Sequence, residues 1–266
     1  RSVAMEVSSH ALAQHRVDAV TFDAAVLTHV GRDHLDYHGS VAAYHAAKRR
    51  LFAWPGLRRQ VLNLDDSVGC DLAARPLSDA PVVSYGRTRS ADLHLTRIEP
   101  GPEGLSMSLN WRGRHHALTL PLFGVFNALN AMAAVGAIAD DQLMAPALEA
   151  AAALRPVPGR MERFMAAGAP LAVVDYAHTP DALENVLKAI HHTKPPGAAL
   201  WCVFGCGGDR DVSKRRVMGS IAERLADHVI VTSDNPRTEE PDAIMNDIRR
   251  GMNRPHDAQW IVDREA

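Results

Sequence analysis

Apolar residues follow two rhythms along this chain, and the switches between them lay out its elements. Short continuous apolar runs read as buried strands: Arg1–Val7, Phe22–Thr28, Gln60–Asn63, Val82–Tyr85, Leu171–Tyr176, Leu200–Phe204, His228–Thr232 and Trp260–Val262. Helical spacing lies between many of them. Ser40 is a good N-cap, and Val41, Tyr44, Lys48 and Leu51 then fall on one helical face. A short helix follows from Asp65. Thr179-Pro180 pairs a cap with a proline at the first helical position, and Leu183, Val186, Leu187 and Ile190 line one face of Pro180–His192. Further helices run from Ser213 or Lys214 to about Asp227 and over Asp242–Met252. Strands alternating with helices predict α/β architecture with mostly parallel sheets, whose ligands gather at the strands' C-terminal ends.

Asp92–Leu120 departs from this. DLHLTRIEP, GLSMSLNW and HHALTLPL alternate polar and apolar positions, which predicts a half-buried antiparallel meander. A small-residue helix then begins near Asn127, and another Ala-rich helix covers Leu143–Leu154. The two prolines and the glycine of Arg155–Gly159 resist regular structure and mark a linker. We therefore expect two domains, 1–157 and 158–266.

Composition excludes several classes. A net charge of −2 leaves no basic footprint for nucleic acid or a membrane surface. Cys70, Cys202 and Cys206 form no disulfide framework or zinc pattern and suit a reducing cytoplasm. No apolar run is long enough to span a bilayer, and no signal peptide is present. The chain opens inside a strand-like run and closes directly after QWIV, so both ends read as cuts in a longer protein.

The candidate chemistry lies in the loops. Lys48 on an apolar face either snorkels along its methylene stem or is a functional amine made easier to deprotonate by burial. Glu6, ending one strand, either caps a helix or joins the His/Asp loop Thr28–Asp36 in holding Mg²⁺, a hard cation that prefers oxygen ligands. Asn127 and Asn130 have helix capping as their ordinary reading. The loop Gly205-Cys206-Gly207-Gly208-Asp209-Arg210 has arginine where a dinucleotide fingerprint needs its last glycine. Arg210 and Arg237 suit a two-pronged grip on a carboxylate, and Asp234 and Asn235 offer acceptors for an ammonium group. Together they describe either an amino-acid pocket or solvated surface turns. The chain contains no G-x-x-x-x-G-K-[ST] phosphate loop.

EVSSHALAQHRVD, THVGRDHLDYHG with YHAAK, GVFNALNAMAA, GRMERF, VVDYAHTPDALENVL, VFGCGGDRDVSKR and SDNPRTEEP resemble, in order, the Mur ligases. The resemblance spans the chain and implies part of a central ATP-binding domain, without its phosphate loop, followed by a Rossmann-like amino-acid-binding domain. It implies ATP-dependent amide formation through an acyl phosphate, with Mg²⁺. The implied substrates are a UDP-N-acetylmuramoyl dipeptide and meso-diaminopimelate, used in peptidoglycan synthesis by a cytoplasmic, monomeric enzyme. By the match, Glu6, His34 and Lys48 are catalytic and metal-holding, Lys48 as a carbamate. Ser8, Gln14 and Arg16 contact the nucleotide-sugar peptide. Asn127, Arg160, Asp175 and His178 contact ATP. Arg210 with Asp234, Asn235, Pro236 and Arg237 forms the diaminopimelate pocket, Arg237 reading the distal carboxylate. A folylpolyglutamate synthase-like ligase and a non-catalytic binding relative are the alternatives. The 266-residue chain by itself is expected to be inactive, because it lacks the loop that cradles the triphosphate.

Overall fold

The structure is a computed structural model that describes residues 2–101 and 104–264. It divides into two compact units, Arg1–Arg155 and Pro156–Ala266.

In the first unit, β1 (Ala24–Leu27), β2 (Arg59–Asn63), β3 (Val82–Gly86), β4 (Leu93–Gly101), β5 (Gly104–Trp111) and β6 (Arg114–Leu120) form one sheet in sequence order. β1 to β4 are parallel, and β4, β5 and β6 are antiparallel. Its helices are α1 (Ser9–Ala13), α2 (Leu35–His38), α3 (Val41–Arg49), α4 (Ser67–Ala74), α5 (Val125–Ile138) and α6 (Met144–Ala152). Successive strand side chains point to opposite faces. Val61 and Leu62 of β2 accordingly enter different cores, each with no exposure. One core takes residues of α5 and α6, the other residues of α3 and α4. Small residues let α5 approach closely: a Cβ on Gly136 would lie 3.0 Å from Val61 Cγ1.

The first expected strand fails here. Residues 2–8 form no strand, and Val3 and Met5 are 91% and 52% exposed; Arg1 lies outside the described residues. An apolar run becomes a strand only by pairing, and among the described residues β1 pairs with β2 alone. Ser8 then caps α1, its hydroxyl accepting from the Ala11 N–H at 3.0 Å. Elsewhere α5 starts at Val125, slightly ahead of Asn127, and Gly124 is its N-cap.

The second unit opens with an antiparallel pair, β7 (Glu162–Phe164) and β8 (Ala172–Val174). Then come α7 (Pro180–Thr193), β9 (Trp201–Phe204), α8 (Ser213–Leu225), β10 (His228–Thr232), α9 (Pro241–Arg249) and β11 (Gln259–Ile261). A parallel sheet in the order β11-β10-β9 shares a core with all three helices. Thr179 caps α7 through the Ala182 N–H, with Pro180 at its start. Leu171–Tyr176 was expected within this parallel sheet. Its central part, β8, pairs with β7 instead, because a hairpin partner a few residues away closes a short loop at small entropic cost.

Candidate functional site

Ser40 starts α3 by accepting from the Ala43 N–H at 3.1 Å, and the helix aims Tyr44 and Lys48 inward. Tyr44 is buried and Lys48 is half-buried. The Lys48 ammonium reaches the Val7 carbonyl at 3.4 Å. Burial lowers the Lys48 pKa, while the charges of Glu6 and Asp33 oppose the shift. Desolvation wins, so this amine is poised nearer to neutrality than an exposed one.

Around it stands a group of rings and acids. His34 adopts a left-handed backbone (φ 53°), and its N–H donates to Asp33 Oδ1 at 2.8 Å. Its ring nitrogen Nε2 is 3.6 Å from Asp33 Oδ2. The rings of His10 and His34 meet edge-on at 4.6 Å, and His34 is 6.3 Å from Tyr44. His38 contacts Ser9 Oγ at 3.0 Å, and its pKa is lowered by burial first and by the neighbouring His10 charge next. Burial, with Asp33, Asp66 and Glu6 nearby, pushes Tyr44 up to about 12. Glu6, Lys48 and His34 thus share one neighbourhood, and Asp33 belongs to it.

Among the described residues no group of three or more His, Cys, Asp or Glu side chains is arranged to hold a metal ion. With Lys48 as an ammonium, a cation is opposed. With Lys48 as a carbamate, the carboxylates, the imidazole and the new anionic oxygens form a donor set that fits a hard divalent ion.

The other expected residues of this unit make local bonds. Ser8 caps α1, and Gln14 ends it with its N–H on the His10 carbonyl at 2.8 Å. Arg16 is exposed. Asn127 donates through Nδ2 to the Phe123 carbonyl at 2.7 Å and accepts from Asn130 at 3.2 Å, so it is not the helix cap.

In the second unit, Arg160 lies over the Tyr176 ring at 4.5 Å. Asp175 accepts from the N–H groups of Met161 and Ala177, both at 2.9 Å, which joins the residues around β7 to the end of β8. His178 contacts the Tyr176 carbonyl through Nδ1 at 3.0 Å. These four residues form a second small assembly.

The loops after β9 and β10 interlock. The Gly208 N–H donates to the Asn235 carbonyl at 3.1 Å, and Arg237 Nη1 donates to the Gly208 carbonyl at 2.7 Å. A Cβ on Gly208 would lie 1.9 Å from the Pro236 oxygen, so only glycine fits. Asp209, Asn235 and Arg237 all have positive φ. Asp234 meets Asn235 Nδ2 at 3.2 Å and Arg264 Nη1 at 3.5 Å, and Arg210 is exposed. Arg237 therefore spends one edge of its guanidinium on the loops.

Three residues at these sites escaped the sequence reading. Asp33 stood beside His34 in the quoted loop and was not singled out. Arg215 shares a helical face with Met218 and Ala222, the same pattern that flagged Lys48, and it is 1% exposed. Glu239, its partner, looked like one more acid in a charged loop.

A mixed-sheet unit with a half-buried lysine on α3 near acids, followed by a separate parallel α/β unit with interlocked glycine and arginine loops, defines a modular α/β protein. The chain belongs to the Mur ligase family: residues 1–138 match the Mur ligase middle domain and residues 159–266 the Mur ligase glutamate ligase domain. It is 47% identical to the UDP-N-acetylmuramoyl-L-alanyl-D-glutamate–2,6-diaminopimelate ligase of Neisseria meningitidis serogroup B, over 99% of this chain and 54% of that protein. It is 52% identical to the ligase of the same name from Pseudomonas aeruginosa, over 95% of this chain and 52% of that one. A solved structure under that ligase name aligns with TM-score 0.61 and 37% identity, over 97% of this chain and 53% of that chain. Mycobacterium tuberculosis folylpolyglutamate synthase aligns with TM-score 0.70 at 23% identity, over 90% of this chain and 54% of that chain, and shares the fold. The chain spans about half the length of the curated relatives it matches. Among the described residues no helix is long and apolar enough to cross a membrane.

Proposed function

We propose that the protein containing this chain is an ATP-dependent ligase that joins meso-diaminopimelate to the D-glutamate carboxylate of UDP-N-acetylmuramoyl-L-alanyl-D-glutamate in peptidoglycan synthesis. Three unpaired cysteines suit a reducing cytoplasm. Residues 1–157 are assigned to the ATP-binding part and 158–266 to the amino-acid-binding part.

The observation that carries the reading is Lys48: an amine whose burial outweighs two nearby carboxylates. Only a neutral amine reacts with CO₂, and the carbamate turns an opposing cation into an oxygen ligand beside Glu6 and His34. Mg²⁺, when bound by these residues, would neutralise charge on the transferring phosphate. Ser8, Gln14 and Arg16 are assigned to the nucleotide-sugar peptide. Asn127, Arg160, Asp175 and His178 are assigned to ATP, with the aromatic ring of Tyr176 holding the Arg160 guanidinium in place. Arg210, Asp234, Asn235, Pro236 and Arg237 are assigned to diaminopimelate. The edge of the Arg237 fork not spent on the Gly208 carbonyl suits the distal carboxylate.

The test uses the intact protein with ATP, Mg²⁺ and the UDP-linked dipeptide. Phosphate release that requires diaminopimelate, with a tripeptide product, is the expected result. Phosphate release that needs glutamate and a folate instead would transfer the assignment to a folylpolyglutamate synthase-like ligase. Binding of nucleotide without turnover would leave a non-catalytic relative.

A further inference from the structure

Arg215 is 1% exposed, yet no role falls to it in the ligand assignments above. Burying a guanidinium is costly unless nearly every donor is matched. Here Nη1 donates to Glu239 Oε2 at 2.8 Å and to Asp247 Oδ2 at 3.0 Å. Nη2 donates to Glu239 Oε1 at 2.7 Å and to the Gly207 carbonyl at 3.3 Å. Glu239 Oε1 also accepts from the Asp209 N–H at 2.6 Å. The carboxylate of Asp209 in turn accepts from Thr238 Oγ1 at 2.8 Å and from the Thr238 N–H at 3.2 Å.

The partners come from separate places in the sequence. Gly207 and Asp209 lie in the loop after β9, Glu239 closes the loop after β10, and Asp247 is on α9. The two loops also hold three non-glycine residues with left-handed backbones, Asp209, Asn235 and Arg237. Such conformations persist only where the surroundings over-determine them. A fork-to-fork ion pair from the buried face of α8 supplies that determination.

We propose that Arg215 and Glu239 form a positioning clamp that fixes the two amino-acid-binding loops in one shape, so that Arg210 and Arg237 meet the incoming diaminopimelate preformed. This rests on the amino-acid-site reading above and adds residues that touch the loops rather than the ligand. Asp247 has a different part: it anchors Arg215 from α9, and among the described residues its carboxylate bonds only Arg215 and Arg250.

The two partners of one arginine therefore differ in what they hold: Glu239 joins it to the loops, and Asp247 joins it to α9 alone. In the intact protein, Glu239→Gln puts an NH₂ where donors need an acceptor, and Asp247→Asn does so only on the helix side. Glu239→Gln is expected to raise the KM for diaminopimelate about tenfold with the KM for ATP unchanged, a change of about 1.4 kcal/mol. It is also expected to speed amide hydrogen exchange at Gly208 and Thr238. Asp247→Asn is expected to lower the unfolding midpoint with little effect on either. Arg215→Lys, which keeps the charge without the fork, should resemble Glu239→Gln. Wild-type exchange at both amides in Glu239→Gln, or equal KM changes for the two substrates, would overturn the clamp. If the wild-type protein shows no diaminopimelate-dependent turnover, the substrate assignment falls, and the exchange rates still decide the clamp.

Discussion

The Lys48 ammonium lies 3.4 Å from the Val7 carbonyl, which ties the apolar face of α3 to the extended residues that carry Glu6. A lysine held this way has lost hydration that an exposed ammonium keeps. Lys48→Met keeps the side-chain length and removes the desolvated charge. Turnover of the intact protein should fall to background, while stability to urea stays level or rises by about 0.5–2 kcal/mol. Loss of stability together with activity would mark Lys48 as a structural residue.

Arg237 holds the Gly208 carbonyl with one nitrogen, so on the proposed assignment its replacement affects loop and ligand together. Arg237→Lys separates these effects, since an ammonium still bonds a carbonyl but cannot grip a carboxylate with two prongs. The KM for diaminopimelate should rise roughly 10- to 150-fold, the cost of one charge-assisted contact, with the KM for ATP little changed. Steady-state kinetics with each substrate varied in turn would check this.

Asp66 is nearly fully buried and accepts from the ring of His29 and from the N–H groups of Val30, Val68 and Gly69. It caps α4 and pins the start of the loop that leads to His34. Asp66→Ala should cost about 2–4 kcal/mol, one cap plus one buried unsatisfied donor. Asp66→Asn should cost less, because it keeps an acceptor for the cap. Chemical denaturation of both variants would rank them.

Glu239 gives a pH dependence of known sign. The Arg215 fork first, and then the Asp209 N–H, lower its pKa from the ordinary 4.5 to about 2. Its contribution is therefore complete above pH 4.5 and is lost as the pH falls through about 2. Urea midpoints measured across that window should fall more steeply for the wild type than for Glu239→Gln. Parallel curves would remove the ion pair from the stability of this unit.

Local signals in the sequence were read well. Ser40 and Thr179 are caps as expected, and α7 buries the face that its spacing marks, whereas on α3 Tyr44 of the marked face is buried and Val41 stays exposed. The alternation in Asp92–Leu120 yields the antiparallel half of the first sheet. What failed was choice of partner. Residues 2–8 have the composition of a strand without a neighbour to pair with, and Leu171–Tyr176 has two possible neighbours and takes the nearer. In the candidate site, Lys48 was visible because a charge on an apolar stripe is anomalous. Arg215 carried the same anomaly, but its partners Glu239 and Asp247 lie far along the chain and only the fold brings them together.

The central claim is that the Lys48 amine carries a carbamate facing Glu6 and His34. Carbon-13 spectra of the intact protein in labelled bicarbonate test it most directly. One carbamate resonance should appear in the wild type and be missing from Lys48→Met, with intensity that tracks turnover as bicarbonate is withdrawn. Identical spectra from the two proteins, with the wild type fully active, would contradict it.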